Sequence, residues 1–192
     1  MVRFEDFVWL FNCDYNNRKI IRLDFDEASL LWESVKISNG RILELDIRYG
    51  GSTLILLGSS HHRQIYSLGT DDNVNIECKM IFVNYKERLH IINSNFKEYK
   101  PEYKFGLVVI DVDDMYEDIK LGMDNIWNYL EDDAYIFFHD VIPNIRGKLS
   151  NFVVTTHIEE IKRIYDELLN NNMVTEIKRI GSSVLCKKIT KI

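Results

Sequence analysis

The sequence predicts an α/β domain. Its sheet is mostly parallel and seven-stranded, with helices on both faces and an antiparallel hairpin at the C-terminus. Three observations predict this. Short apolar runs alternate with longer amphipathic ones, the pattern of strand–helix–strand units. Leu107–Ile110 and Tyr135–Phe138 are apolar without interruption, as strands covered by helices on both faces are. Met173–Ile180 and Ser183–Ile189 are strand-like runs joined at Gly181-Ser182, a hairpin signal with a glycine free to take positive φ.

The elements follow in order. Asp24-x-x-Glu27 has the form of a capping box, and Ala28, Leu31, Trp32 and Val35 continue at helical spacing. Strands are expected at Arg41–Leu45, Gln64–Leu68, Leu89–Asn93, Leu107–Asp111 and Ala134–Phe138. Ser52–Gly58 reads as a short helix opening directly after Gly50-Gly51. Asn73–Lys86 is ambiguous: Met80–Val83 has strand character, while the alternation asks for a helix. Ile119, Met123, Ile126, Trp127 and Leu130 share one helix face. Thr156-x-x-Glu159 is a second capping box, ahead of Ile161, Ile164, Tyr165, Leu168 and Leu169. No repeat or Pro/Ser-rich linker divides the chain. One domain is expected, with residues 1–39 as an N-terminal helical segment packed on the core and residues 40–192 as the α/β domain. Five parallel strands followed by an antiparallel pair set it apart from a plain dinucleotide-binding Rossmann fold.

With 192 residues the chain can bury a full core, and 46% hydrophobic with 28% charged residues places it among globular proteins. A net charge of -6 argues against general binding of nucleic acid. No apolar run approaches the roughly 18–20 residues of a membrane span. Cys13, Cys78 and Cys186 are widely spaced and odd in number, which argues against a disulfide framework or a structural zinc site. The start of the chain does not read as a signal peptide, and a cytoplasmic location is expected.

Three constellations could carry chemistry. Ile42–Thr53 runs from a strand through Gly50-Gly51 into a helix headed by Ser52 and Thr53. A helix N-terminus offers unpaired N–H groups to an anion, and glycines allow close approach. The plainer alternative is a strand–helix turn with a serine cap. Ile110–Tyr116 places Asp111, Asp113 and Asp114 at the carboxyl end of a buried strand, the edge where open α/β sheets bind ligands. Carboxylates so close raise a proton affinity or attract a cation such as Mg²⁺; the alternative is solvated loop acids, one of them capping the next helix. Phe137–Val141 brings His139 and Asp140 to that same edge, where they could join Asp111 as metal ligands or as an acid/base pair. His61-His62 read as loop residues, since adjacent side chains share no helix face. Trp127 reads as core, and Cys186 as a buried, inert thiol.

These pieces resemble the class I S-adenosylmethionine-dependent methyltransferases, with their Rossmann-like fold. More narrowly, they resemble the small O-methyltransferase-like families that include sugar O-methyltransferases and cephalosporin-hydroxylase-type proteins. The resemblance runs from about Leu30 to Ile189. Leu43–Thr53 follows the family's LEIGTxxGGST, Gly106–Glu117 echoes DLVFIDGDHSYE, and Leu130–Asp140 echoes LKPGGYIIFHD. The resemblance implies a methyltransferase acting on a hydroxyl of a small molecule or sugar, with S-adenosylmethionine as cofactor and in some members Mg²⁺. It places Glu44, Asp46, Gly50, Gly51, Ser52 and Asp111 against the cofactor, with Asp71 or Asp72 standing in for a ribose-binding acid. Asp111, His139 and Asp140 would hold the metal, and Asp111, Asp114 and His139 would be catalytic, Asp114 standing where the family has a basic histidine.

The sequence departs from the pattern at ligand-facing positions. Asp46 replaces a glycine, and its carboxylate is expected to crowd the cofactor and repel its carboxylate. Gly69 stands where the second strand should end in an acid. Val112 and Asp133-Ala134 replace further glycines. A second reading therefore keeps the fold as a binding or assembly module without turnover, and a third uses the acidic cluster in a metal-dependent, non-methylating reaction. The aromatics Phe4, Phe7, Trp9, Phe11 and Tyr15 are expected to pack on the core, or else to cover an acceptor pocket or form a homodimer contact.

Overall fold

The computed structural model describes residues 3–10, 20–142 and 156–190. Expectations for Phe11, Cys13 and Tyr15, and for the side chains of Trp9, Asp71 and Thr156, lie outside the described residues. After a 3-10 helix at Phe4–Leu10, the elements are α1 (Phe25–Ile37), β1 (Arg41–Leu45), α2 (Gly51–Ser59), β2 (Ile65–Leu68), α3 (Ile76–Phe82), β3 (Leu89–Ile92), β4 (Phe105–Ile110), α4 (Tyr116–Trp127), β5 (Leu130–Phe138), α5 (Thr156–Asn170), β6 (Val174–Ile180) and β7 (Ser183–Lys188). The sheet runs β3-β2-β1-β4-β5-β7-β6. The first five strands are parallel, and β7 pairs antiparallel with both β5 and β6.

Side chains that alternate along a strand face opposite sides of the sheet, and the core divides accordingly. Ile42, Leu107, Val109 and Phe137 pack with α1, α2 and α3 through Leu30, Leu31, Trp32, Leu54–Leu57, Cys78 and Phe82. Leu43, Leu45, Val108, Ile110, Ile136 and Phe138 pack with α4 and α5 through Ile119, Met123, Ile126, Ile161, Ile164 and Tyr165. Phe4 and Leu10 are buried in the first cluster and Phe7 packs against it, which answers for those aromatics the question of core packing.

Two local expectations change. The ambiguous stretch is helical: α3 ends at Phe82 and continues as a 3-10 turn over Val83–Tyr85. Met80 and Val83 are therefore exposed, because helical spacing gives only Cys78 and Phe82 to the core. Leu130 belongs to β5 rather than to the helix before it. Its backbone pairs with Phe105, and a register shift between Phe105 and Leu107 absorbs the longer strand.

Candidate active site at the carboxyl ends of three strands

β1 and β4 are neighbours, yet the chain leaves them in opposite directions across the sheet. Ligands of open α/β sheets bind in the crevice at such a switch point. Register sets what arrives there. Leu45 pairs with Ile110 and Ile110 with Phe138, so Asp46, Asp111 and His139 emerge level with one another. The His139 amide donates to the Ile110 carbonyl at 3.0 Å.

His139 sits among carboxylates. Its Nδ1 lies 3.0 Å from Asp111 Oδ1 and 3.4 Å from Asp140 Oδ2, and its Nε2 lies 3.4 Å from Glu27 Oε2. Glu27 comes from the first turn of α1. Its other oxygen accepts from the Ser182 amide at 2.6 Å and the Ser182 hydroxyl at 2.7 Å, and that hydroxyl also lies 3.2 Å from Asp140 Oδ1. Burial by itself would lower the pKa of His139, but Asp111, Glu27 and Asp140 together raise it well above the ordinary value. The same attraction works in reverse on the acids. Burial pushes Asp111 and Glu27 up, yet His139, with Arg48 for Asp111 and Ser182 for Glu27, holds both at about 2. Asp140 moves the other way, raised by burial more than His139 lowers it, with Asp111 and Glu27 adding repulsion.

The β1 end is organised by Arg48. Its amide and its Nε each donate to Asp46 at 3.1 Å. The guanidinium also pairs with Asp113 and lies 3.9 Å from Asp111. It thus spans the crevice from the β1 loop to the β4 loop. Asp46 has φ 77, Arg48 φ 42 and Gly50 φ 87, a left-handed winding that aspartate tolerates better than most residues. The Asp46 carboxylate is thus paired with Arg48 within the crevice.

A cavity of about 210 Å³ lies between these parts, lined by Asp46–Ser52, by Asp111, His139 and Asp140, and by Ile20, Arg22 and Leu23. The Arg22 guanidinium sits 3.3 Å from the Tyr49 ring centroid. The cavity is smaller than the roughly 300 Å³ at which typical ligand pockets begin, with the charged Arg48 side chain forming part of its wall. A cavity of about 260 Å³ between α4 and α5 is larger, but it lies away from the strand ends and is walled by helix-packing side chains and the Lys120–Glu167 pair.

The expected site residues divide. Asp46, Gly50, Gly51, Ser52, Asp111, His139 and Asp140 all line the one cavity. Glu44 does not. Its side chain is buried and accepts from Ser52 at 2.6 Å, Thr53 at 2.7 Å and Ser67 at 2.6 Å, tying β1 to α2 and β2. Burial pushes its carboxyl up to about 7, against the pull of those hydroxyls and with help from Asp46. Its part is to hold the turn in place, because three donors on two neighbouring elements draw the carboxylate inward. Asp114 is absent from the cavity lining; its charge acts on Lys97. The backbone of Asp71 lies in the 3-10 turn after β2. Asp111, His139 and Asp140 offer ligand atoms within 4.8 Å of one another, an oxygen–nitrogen–oxygen set suited to a divalent cation.

Glu27, Arg48 and Ser182 were not expected here. Glu27 carries a local signal for something else, the capping box, and that bond forms (Asp24 amide to Glu27, 3.3 Å). Arg48 and Ser182 carry no pattern of their own, although a lone arginine among three aspartates was a charge signal.

Residues 13–141 match the family described as methyltransferase domain, and the chain belongs to that family. Its fold is shared by solved O-methyltransferases of low identity. A Staphylococcus aureus protein assigned as a caffeoyl-CoA O-methyltransferase is 13% identical, with 88% of this chain and 86% of that one covered and a TM-score of 0.70. The O-methyltransferase of Bacillus cereus, solved with SAH, is 16% identical, covering 88% and 84% at a TM-score of 0.63. TomG of Streptomyces achromogenes, an O-methyltransferase of tomaymycin synthesis solved with SAM, is 13% identical, covering 89% and 82% at 0.62. No curated protein matches the chain by sequence. Among the described residues, no helix is long and apolar enough to cross a membrane.

Proposed function

We propose that the protein transfers a methyl group from S-adenosylmethionine to a hydroxyl of a small molecule or sugar. One observation carries the reading: a single cavity at the β1/β4 switch point places the N-terminus of α2 opposite Asp111, His139 and Asp140. The cofactor supplies an activated methyl group. Gly51 and Ser52 present helix N-terminal amides suited to a carboxylate, and Arg22 and Arg48 add positive charge to the same wall. Asp111 stays ionised at neutral pH and can accept a hydrogen bond from the acceptor hydroxyl. Asp111, His139 through Nδ1, and Asp140 would hold a divalent cation, whose chemistry there is to lower the pKa of a bound hydroxyl. Glu27 bonds the far nitrogen of that ring, as carboxylates do behind metal-binding histidines. Buried Cys78 and Cys186 are both free thiols, in keeping with a reducing cytoplasm.

Calorimetric titration with S-adenosylmethionine, with and without Mg²⁺, tests the reading. Saturable binding is expected, and no heat at millimolar cofactor overturns it. The small cavity favours a second reading, a methyltransferase-fold module that binds without turnover. Methyl transfer to any small-molecule hydroxyl would exclude it.

A further inference from the structure

The two departures at the ends of β1 and β2 meet in space. Acids at the end of the second strand of nucleotide-binding α/β folds accept from ribose hydroxyls, and here that position is Gly69, with φ 127 and no side chain. A Cβ built on Gly69 would lie 3.5 Å from Asp46 Oδ1 and 3.0 Å from Ile47 Cγ2. The carboxylate of Asp46 therefore covers the ground where a side chain at residue 69 would begin. The link is direct, since the Ile47 amide donates to the Leu68 carbonyl at 2.7 Å.

Asp46 is equipped for the part. It lines the cavity, and its side chain is 36% exposed. A carboxylate has about four acceptor sites; Arg48 takes one on each oxygen, which leaves capacity on both. It stands outside the Asp111–His139–Asp140 group that could hold a metal.

We propose that Asp46 accepts the ribose hydroxyls of the cofactor, the acid having moved one strand over, from the end of β2 to the end of β1. This rests on the S-adenosylmethionine reading above. It departs from the expectation that the Asp46 carboxylate crowds the cofactor and repels its carboxylate, and the two make opposite predictions.

The test titrates the full-length chain with S-adenosylhomocysteine and with its 2′,3′-dideoxy counterpart, comparing wild type with Asp46→Gly, Asp46→Asn and Asp71→Asn. Both substitutions at 46 suit a left-handed φ, and thermal melts confirm folding. Wild type is expected to prefer the hydroxylated ligand by about ten- to a hundredfold, the worth of hydrogen bonds to a charged group. Asp46→Gly should abolish that preference, Asp46→Asn should reduce it, and Asp71→Asn should leave it intact. Tighter binding by Asp46→Gly, equal losses for the two ligands, or loss of the preference in Asp71→Asn overturns the proposal and leaves the methyltransferase reading standing. A folded wild type that binds neither ligand overturns both.

Discussion

Glu44 is buried near the end of β1 and Asp111 is half-buried just past the end of the adjacent parallel strand β4, and their charge states diverge. Glu44 meets only hydroxyls, and burial pushes it up to about 7. Asp111 meets an imidazole and a guanidinium, and these hold it at about 2 although its partial burial pushes it up. Depth in the fold alone does not decide ionisation; the kind of partner decides whether burial or attraction wins. One strand end is consequently a fastening that is about half ionised near pH 7, and its neighbour is a charged edge of the cavity.

The comparison can be broken most forcefully at Glu27. Its side chain is 3% exposed, and Glu27→Ala strips partners from His139 and from both donors of Ser182. Losing one member of a buried ionic group costs about 3–5 kcal/mol, and a loss of that order is expected in urea unfolding. A loss below about 1 kcal/mol would mean that the cluster does not depend on α1.

The fastening can be tested through pH. The folded protein holds the Glu44 proton more tightly than the unfolded chain, whose ordinary value is 4.5. This group's stabilisation is therefore fully present below about pH 4.5 and is lost as pH rises through about 7. The change amounts to about 3 kcal/mol at roughly 1.4 kcal/mol per unit. Glu44→Gln should lack this decline when denaturant midpoints are compared at about pH 5 and about pH 8. A parallel decline in both proteins would show that Glu44 is already ionised.

The smallest effect sharpens the same point. Ser67→Ala removes one of the donors to Glu44 and should cost about 1 kcal/mol. It should also push the Glu44 midpoint higher, which the stability–pH profile reads directly.

Much of this was legible in the sequence. The strands declared themselves because burial on both faces demands unbroken apolar runs such as Leu107–Ile110, and the closing hairpin because its turn needs a glycine. Asp111 and His139 were legible because each follows such a run directly, so a parallel register must bring them together. The inward turn of the Glu44 side chain was not legible, because one of its three donors, Ser67, lies on another strand that no motif encodes. Glu27 was hidden by distance: its partners His139 and Ser182 lie 112 and 155 residues away. Arg48 was hidden by the absence of any period in a loop.

A Cβ on Gly51 would come within 2.3 Å of the Ile20 carbonyl oxygen, so the segment ahead of α1 lies directly on the turn that opens α2. Ile20, Arg22 and Leu23 share the cavity wall with Gly51 and Ser52. Pocket and segment are therefore thermodynamically linked. Any ligand that touches both must favour the docked segment, and by reciprocity whatever loosens the segment must weaken the ligand by the same factor. The segment at residues 20–23 would then act as an affinity control that slower amide exchange at Ile21 and Leu23 on ligand binding would reveal.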